Sequence, residues 1–151
     1  MLKRFFYWGF GVWLAVCGAG LSLAQAADTP QLNLQINSGL LSGRINGEFR
    51  IGQGRIGYDG EHLGFQVWSD ATKSGSQPNR YVLIGQNNSN NKLRIRIEHQ
   101  DWQPDNDGGK GIILNYGGNS ATFDVVVDGD QTVIADHYSL ALKGAVLFTL
   151  K

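Results

Sequence analysis

The sequence has one cysteine, three prolines and no excess of charge of either sign. Because Cys17 is the single cysteine among 151 residues, an intramolecular disulfide is excluded. Lysine plus arginine and aspartate plus glutamate number 13 each, so the formal net charge is zero. Nucleic-acid binders need a basic surplus to displace counterions, so we expect no nucleic acid as a partner. The hydrophobic fraction of 42% and charged fraction of 17% are typical of a folded chain.

The amino-terminal part has the layout of a secretory signal peptide. A basic start precedes an uncharged run over residues 5–24, which ends in the small-x-small site Ala24-Gln25-Ala26. We therefore predict a cleaved signal peptide over 1–26 and an exported domain over 27–151. An uncleaved anchor is the alternative, because the run is nearly long enough to span a bilayer. Removing 26 of the 151 residues leaves 125, with 11 basic against 13 acidic side chains and no cysteine.

The remaining chain predicts an all-β fold. Short apolar runs alternate with turns rich in glycine, asparagine and aspartate, and none has the apolar period of a helix. Such a pattern predicts a β-sandwich or barrel of one domain. The predicted strands are Gln31–Asn37, Gly64–Trp68, Arg80–Ile84, Lys92–Ile97, Phe123–Val127 and Tyr138–Leu150.

Two details favour an immunoglobulin-like sandwich over a barrel. Trp68 ends an early apolar strand, where this fold often buries a tryptophan. Asp136-His137-Tyr138 follows an acidic turn and opens the last strand, which is the sequence form of a tyrosine corner.

The last predicted strand carries the strongest functional signal. If the domain ends at Lys151, no strand follows to cover this edge, and an open apolar edge invites pairing with another chain. Strand donation by a partner, as between chaperones and pilins, would complete the sandwich. The alternative is a terminal strand buried in an ordinary closed sandwich. The residues predicted to face the missing strand are Tyr138, Leu140, Leu142, Gly144, Val146, Phe148 and Leu150.

The sequence contains short matches to enzyme motifs, but the residues around them do not fit an enzyme site. The segment 52–57 matches G-x-G-x-x-G, but turn residues follow it where a nucleotide site needs a helix. The three histidines lack metal-ligand spacing, and the exported domain has neither a cysteine nucleophile nor G-x-S-x-G. We therefore expect no catalytic residue, no metal and no cofactor.

A candidate contact surface lies on the strand 92–97. Lys92, Arg94 and Arg96 alternate with apolar residues and should face solvent, and Trp102 follows in a loop. We select these four residues as candidate receptor contacts. The alternatives are a merely solvated strand face and, for Trp102 and Tyr116, packing on the sandwich edge. A carbohydrate-binding sandwich that uses Trp68, Trp102 or Tyr116 is a further possible function.

Several short segments follow one another over nearly the whole exported domain. Their order and spacing resemble the Afa/Dr invasin family, AfaD/DraD-like minor subunits of enterobacterial chaperone–usher adhesive fibres. The segments are GRIGYDGEHLGFQVW over 54–68, Arg80-Tyr81-Val82, Leu93-Arg94-Ile95-Arg96, Asp101-Trp102, Gly108-Gly109-Lys110-Gly111, Phe123-Asp124-Val125, Asp128-Gly129-Asp130-Gln131 and Tyr138.

The resemblance implies an immunoglobulin-like domain without its final strand, which a periplasmic chaperone and then a neighbouring fimbrial subunit would supply. An outer-membrane usher would assemble the fibre on the surface of a Gram-negative bacterium. The invasin subunit is expected at the fibre tip, where it promotes attachment to and entry into host cells, with integrins as the receptor type. The alternative within this class is a structural or adaptor subunit without receptor binding.

The chain departs from the family pattern at three points. Tyr58 and Val146 stand where we expect family members to carry a disulfide, so Tyr58 is expected to contact the last strand instead. No Arg-Gly-Asp sequence is present. The C-terminal Leu150-Lys151 lacks the penultimate aromatic of pilins.

The apolar residues of segment 31–37 leave two interpretations open. Leu32, Leu34 and Ile36 belong either to the domain's own first strand or to a donor strand for the next subunit. We favour the domain's own strand, because only residues 27–30 precede it in the exported chain. This interpretation predicts a terminal position in the fibre.

Overall fold

The computed structural model describes residues 5–10, 29–36, 42–107 and 109–149, and only the backbone of 5–10. This part of the chain contains strands and no helix, so none of its elements is an apolar helix that could cross a membrane. Its strands are β1 (Phe5–Phe10), β2 (Gln31–Ile36), β3 (Gly43–Ile45), β4 (Arg50–Gly57), β5 (Gly64–Ser69), β6 (Thr72–Lys73), β7 (Arg80–Ile84), β8 (Lys92–Glu98), β9 (Gln103–Pro104), β10 (Ile112–Leu114), β11 (Ser120–Val127), β12 (Gln131–Val133) and β13 (Leu142–Leu147).

The strands form two sheets and a short ribbon, in which every described pairing is antiparallel. One sheet has the order β2-β4-β11-β8-β7-β6 and the other β1-β13-β5-β10-β9, while β12 pairs with β3. The order β2-β4-β11-β8 corresponds to strands A, B, E and D of the immunoglobulin fold, and β5 and β13 to strands C and F. The predicted all-β, immunoglobulin-like fold is confirmed.

The core lies between the two sheets and follows from alternation along the strands. On β8, Leu93, Ile95 and Ile97 are buried as predicted, because residues two apart point to the same face. β5 is buried along its whole length, since it is an inner strand between β13 and β10. Phe65 and Val67 of β5 belong to the inter-sheet core.

Trp68 is buried, as predicted, but the tryptophan that packs between the two sheets among the described side chains is Trp102. Trp68 is 4% exposed, yet it lies outside the inter-sheet cluster, and the ammonium of Lys110 sits 4.7 Å from its ring centroid. Trp102 packs within the cluster, edge-on to Phe123 at 6.1 Å. Its indole N–H donates a hydrogen bond to the Thr122 carbonyl oxygen at 2.9 Å.

The last strand is shorter than predicted. β13 covers only Leu142–Leu147, because Ala141 has a φ of 45° and interrupts the extended backbone. Tyr138 instead forms an isolated bridge with Gly85, beside β7 in the opposite sheet. The chain therefore crosses from one sheet to the other between residues 138 and 142.

The predicted tyrosine corner is confirmed at this crossing. The Tyr138 hydroxyl donates a hydrogen bond of 2.6 Å to the carbonyl oxygen of Ile134, four residues upstream. This bond holds the turn that leads into β13.

Candidate functional site: the edge of the last strand

Both edges of β13 are paired when residues 1–26 are present. β5 lies along one edge, with Leu142 opposite Ser69 and Leu147 opposite Gly64. β1 lies antiparallel along the other edge, with Phe10 opposite Leu142 and Phe5 opposite Leu147. In a complete immunoglobulin-like domain the seventh strand, G, follows F in sequence and occupies this place beside it. Here residues from the opposite end of the chain occupy the position of strand G.

The occupying residues fall within the predicted signal peptide, 1–26. The expectation that no strand of this chain covers β13 is therefore wrong as long as residues 1–26 are present. It applies to a chain from which the signal peptide has been removed, and that removal remains a prediction. The predicted cleavage site at Ala26 lies outside the described residues, as does Leu150 of the predicted pairing set.

The groove beside β13 has a second wall on the opposite sheet. β1 contacts β2 as well as β13, and β2 is the edge strand of its own sheet. The side of the sandwich that β1 covers thus lies between β2 and β13. Leu142 and Val146 are fully buried there, and Leu32 of β2 is 5% exposed.

Gly144 brings the two walls together at the middle of β13. A β-carbon built on Gly144 would lie 2.8 Å from Ile56 Cδ1 and 3.7 Å from Leu32 Cδ1. The absence of a side chain at this position therefore lets the strand approach the opposite sheet. Alternation alone could not identify this role, because it depends on a contact between residues 88 positions apart in the sequence.

The remaining residues predicted to face the partner strand lie near β13 but outside it. Leu140 is 4% exposed and belongs to the core, while Phe148 and Tyr138 pack partly buried against it. Ala145 and Leu147, on the other face of the strand, are buried as well and were not part of the predicted set. Side chains on both faces of β13 are therefore buried.

Tyr58 contacts the end of the last strand, as expected from its position. Its ring meets the ring of Phe148 edge-on with 6.1 Å between centroids, and that of His62 at 5.5 Å. Both His62 ring nitrogens lie within 2.9 Å of a carbonyl oxygen, those of Gly60 and Gly118. Aromatic packing therefore joins this early loop to the last strand.

The three cations on β8 differ in their exposure to solvent. Lys92 and Arg94 are exposed, but Arg96 is only 8% exposed and was wrongly expected to be free at the surface. Arg96 Nε lies 2.6 Å from Glu98 Oε1 and its Nη1 lies 3.2 Å from Asp128 Oδ1, and Glu48 forms a third ion pair. The hydrogen bond to Glu98 is the main cause that raises the pKa of Arg96 above its usual value.

Lys92 and Arg94 line a surface cleft of about 450 Å³, the basic cleft. Neither side chain makes an ion pair with another residue that the structure describes. Ile134, which also lines the basic cleft, is 57% exposed. Sequence analysis missed Ile134, because it lies in a turn-rich segment whose exposure depends on how the ribbon of β3 and β12 packs.

Trp102 lies in the core and offers little surface for a partner, so its expected exposure was wrong. Contact with a receptor remains a prediction for Lys92 and Arg94. Within the described ranges, no group of three or more histidine, cysteine, aspartate or glutamate side chains is arranged to hold a metal ion.

Comparison with known proteins identifies similar chains. The family described as "Enterobacteria AfaD invasin protein" matches residues 41–144. Protein AggB of Escherichia coli is 23% identical over 123 residues, which are 81% of this chain and 83% of that protein.

Solved structures show the same fold. The Salmonella SafD adhesin is 32% identical with a TM-score of 0.70, and the match covers 80% of this chain and 98% of SafD. HdaB, the minor tip subunit of the E. coli Hda pilus, is 25% identical with a TM-score of 0.70, over 76% of this chain and 80% of that one.

Proposed function

Because the chain belongs to the Enterobacteria AfaD invasin family and is an adhesin-type fimbrial subunit, we propose that it occupies the tip of a chaperone–usher fibre. In this position it attaches the bacterium to host cells and promotes entry. The family consists of adhesive fimbrial subunits, and we propose that the chain acts by binding and not by catalysis.

The observation that carries this proposal is the place of β1. The described residues from 29 onwards supply strands A to F but no strand beside the outer edge of β13. Once residues 1–26 are removed, the backbone of Leu142–Leu147 loses its β1 partner, and an unpaired apolar edge is an aggregation hazard. A strand from a periplasmic chaperone, replaced at the outer-membrane usher by a strand from the neighbouring subunit, satisfies that edge.

A terminal position follows from the use of β2. Gln31–Ile36 pairs with β4 as a strand of the domain itself. Cleavage after Ala26 would leave four residues before β2, fewer than the six that β1 places along β13. Such a chain accepts a strand but has none to donate. The relative HdaB is itself described as a minor tip subunit.

The test compares residues 27–151 alone with the same chain joined to a six-residue apolar donor strand. We expect the lone domain to aggregate or unfold at low urea, and the complemented domain to be a monomer with a higher midpoint. A donor with aspartate at two inward positions is the matched control and should not rescue. A lone domain that is monomeric and equally stable would contradict the incomplete fold.

The basic cleft supports the receptor part of the proposal. Lys92 and Arg94, whose side chains make no ion pair with any described residue, lie next to exposed Ile134. This arrangement suits an acidic patch on a host protein of the integrin type. Double charge reversal, Lys92→Glu with Arg94→Glu, should abolish most adhesion of fibre-bearing bacteria to host cells. Arg55→Glu on β4, an exposed cation away from the cleft, is the control. Unchanged adhesion of the double variant would remove this surface from the proposal, and an integrin-blocking antibody tests the receptor class.

A further inference from the structure

Two surface clefts meet at the side chain of Tyr116. One has a volume of about 530 Å³ and the other about 310 Å³, and they share Asp101, Leu114 and Tyr116. Pockets for small ligands commonly measure roughly 300–1,000 Å³. Together the clefts form a continuous surface, the Tyr116 cleft, at the side of the sandwich.

The Tyr116 ring is exposed but held in place. Its side chain is 48% exposed, while its backbone N–H donates a 2.9 Å hydrogen bond to the Leu63 carbonyl oxygen. A β-carbon on Gly118 would lie 2.3 Å from Tyr116 Cζ, so the ring lies directly against the backbone of Gly118. A fixed aromatic ring loses little conformational entropy when a ligand covers it.

Polar side chains surround the ring on both sides. Asp101, Gln103 and Asn115 are exposed in the cleft, and none of them makes a side-chain hydrogen bond to another described residue. The Tyr116 hydroxyl is likewise without a partner in that part of the chain. These groups supply carboxylate acceptors, amide donors and acceptors, and a phenol. A ligand rich in hydroxyl groups would use all of them.

The charge of the cleft restricts the ligand further. Asp101 and Asp107 are exposed there, whereas Asp105 is 3% exposed and accepts a 2.9 Å hydrogen bond from the Gln66 amide. Among the residues that the structure describes, no lysine or arginine lines either part of the cleft. Anionic groups such as sialic acid would meet repulsion without compensation.

We propose that the Tyr116 cleft binds a neutral saccharide, with one face of the sugar ring against Tyr116 and its hydroxyl groups bonded to Asp101, Gln103 and Asn115. An apolar sugar face on an aromatic ring excludes water, and the surrounding polar groups give orientation. Neither of the two tryptophans considered for a carbohydrate site, Trp68 and Trp102, supplies the aromatic surface for the sugar here. Trp102 reaches the cleft only with the edge left by its 8% exposure, and Trp68 lines neither part of it.

This inference does not depend on the tip position. The Tyr116 cleft shares no residue with the basic cleft or with the pairing edge Leu142–Leu147. A variant that assembles normally but no longer binds saccharide therefore tests this inference. A failure of assembly tests the proposed tip position instead.

The experiment uses purified fibres that carry the whole subunit on an array of neutral and sialylated mammalian glycans. We expect binding to neutral glycans, weaker or no binding to their sialylated counterparts, and a loss of at least about tenfold in Tyr116→Ala. Asp101→Asn should weaken binding severalfold. Phe49→Ala, which removes another exposed aromatic ring, is the control and should bind as the unaltered subunit does.

Folding of each variant is checked by its incorporation into fibres and by its thermal midpoint. Both should be unchanged in Tyr116→Ala, because the removed ring is half exposed and makes no side-chain hydrogen bond to a described residue. The proposal is overturned if no neutral glycan binds, if sialylated glycans are preferred, or if Tyr116→Ala binds equally well.

Discussion

The carboxylate of Asp136, just before the tyrosine-corner residue Tyr138, holds the loop between β7 and β8. It accepts hydrogen bonds from the backbone N–H groups of Asn87, Asn88 and His137 at 2.9, 3.2 and 2.6 Å. The Asn91 amide donates a fourth bond at 3.0 Å. Chiefly through the bond from the Asn87 N–H, this arrangement lowers the pKa of Asp136 to about 2.

This carboxylate predicts a specific dependence of stability on pH. In the unfolded chain an aspartate titrates near 3.9, above the native value of about 2. Its contribution is therefore complete above about pH 4 and is lost as the pH falls towards 2. We expect Asp136→Asn to lower the free energy of unfolding at pH 7 and to flatten its decline between pH 4 and pH 2, measured by urea unfolding. Asp59→Asn, at an exposed position, should keep the unaltered slope, and an equal slope in Asp136→Asn would contradict the prediction.

Residue type and alternation predicted which way the β8 side chains point, but not what covers them. Arg96 points away from the core as expected. It is nevertheless buried, because Glu48, Glu98 and Asp128 come from three different segments to surround it. Arg94, two positions earlier, makes no ion pair with a described residue. No local pattern distinguishes the two arginines, since the acids are placed by the pairing of distant strands.

At the scale of elements, the last strand shows a division that the local apolar pattern does not predict. The apolar alternation of residues 138–150 continues smoothly through Ala141. The structure divides it into a bridge to one sheet at Tyr138 and a strand of the other sheet at Leu142–Leu147. The positive φ of Ala141 allows this crossing. An alanine gives no sequence signal for such a turn, whereas a glycine or asparagine would.

Gly144 and Ile56 provide a test of how closely β13 must approach the opposite sheet. Gly144→Ala places its β-carbon 2.8 Å from Ile56 Cδ1 and should cost about 1–3 kcal/mol of unfolding free energy. Ile56→Val removes that methyl group and alone should cost about 0.5–1.5 kcal/mol. The double variant should lose less than the sum of the two, because the obstructing atom is gone. The measurement is urea unfolding of the whole subunit with a strand paired to β13. Strictly additive losses would show that the two residues do not meet.

At the scale of the whole molecule, the sandwich is completed by a segment that does not belong to strands A to F. Residues 5–10 fill the place of strand G in the complete chain, in an antiparallel register of six residue pairs. Any apolar strand that fits this register meets the same walls of β2 and β13. The groove therefore selects for an extended apolar segment, and the identity of the donor is decided by which segment is available.

The role of β2 predicts the result of an amino-terminal deletion. Removing residues 27–37 deletes an edge strand that buries Leu32 and pairs with β4, so the exported domain should fail to fold and should not accumulate in the periplasm. Deleting only 27–30 leaves β2 intact and should be tolerated. If the domain lacking 27–37 folds and enters fibres but blocks addition of the next subunit, the segment is a donor strand and the subunit is an adaptor. Immunoblots of periplasmic extracts and of purified fibres distinguish these results.

The sequence by itself determined the all-β class, the position of most strands, the tyrosine corner and the family, because alternation, turn residues and short ordered motifs are local properties. Only the tertiary structure decided that Trp102 packs between the sheets while Trp68 is buried outside that cluster, and that β13 is six residues long. It also decided that three carboxylates enclose Arg96, while Lys92 and Arg94 make no ion pair with another described residue. It alone also showed a strand of the chain's own amino terminus in the place of strand G. These outcomes depend on which distant segments meet, and that is settled by the pairing of strands and the closing of two sheets on one core.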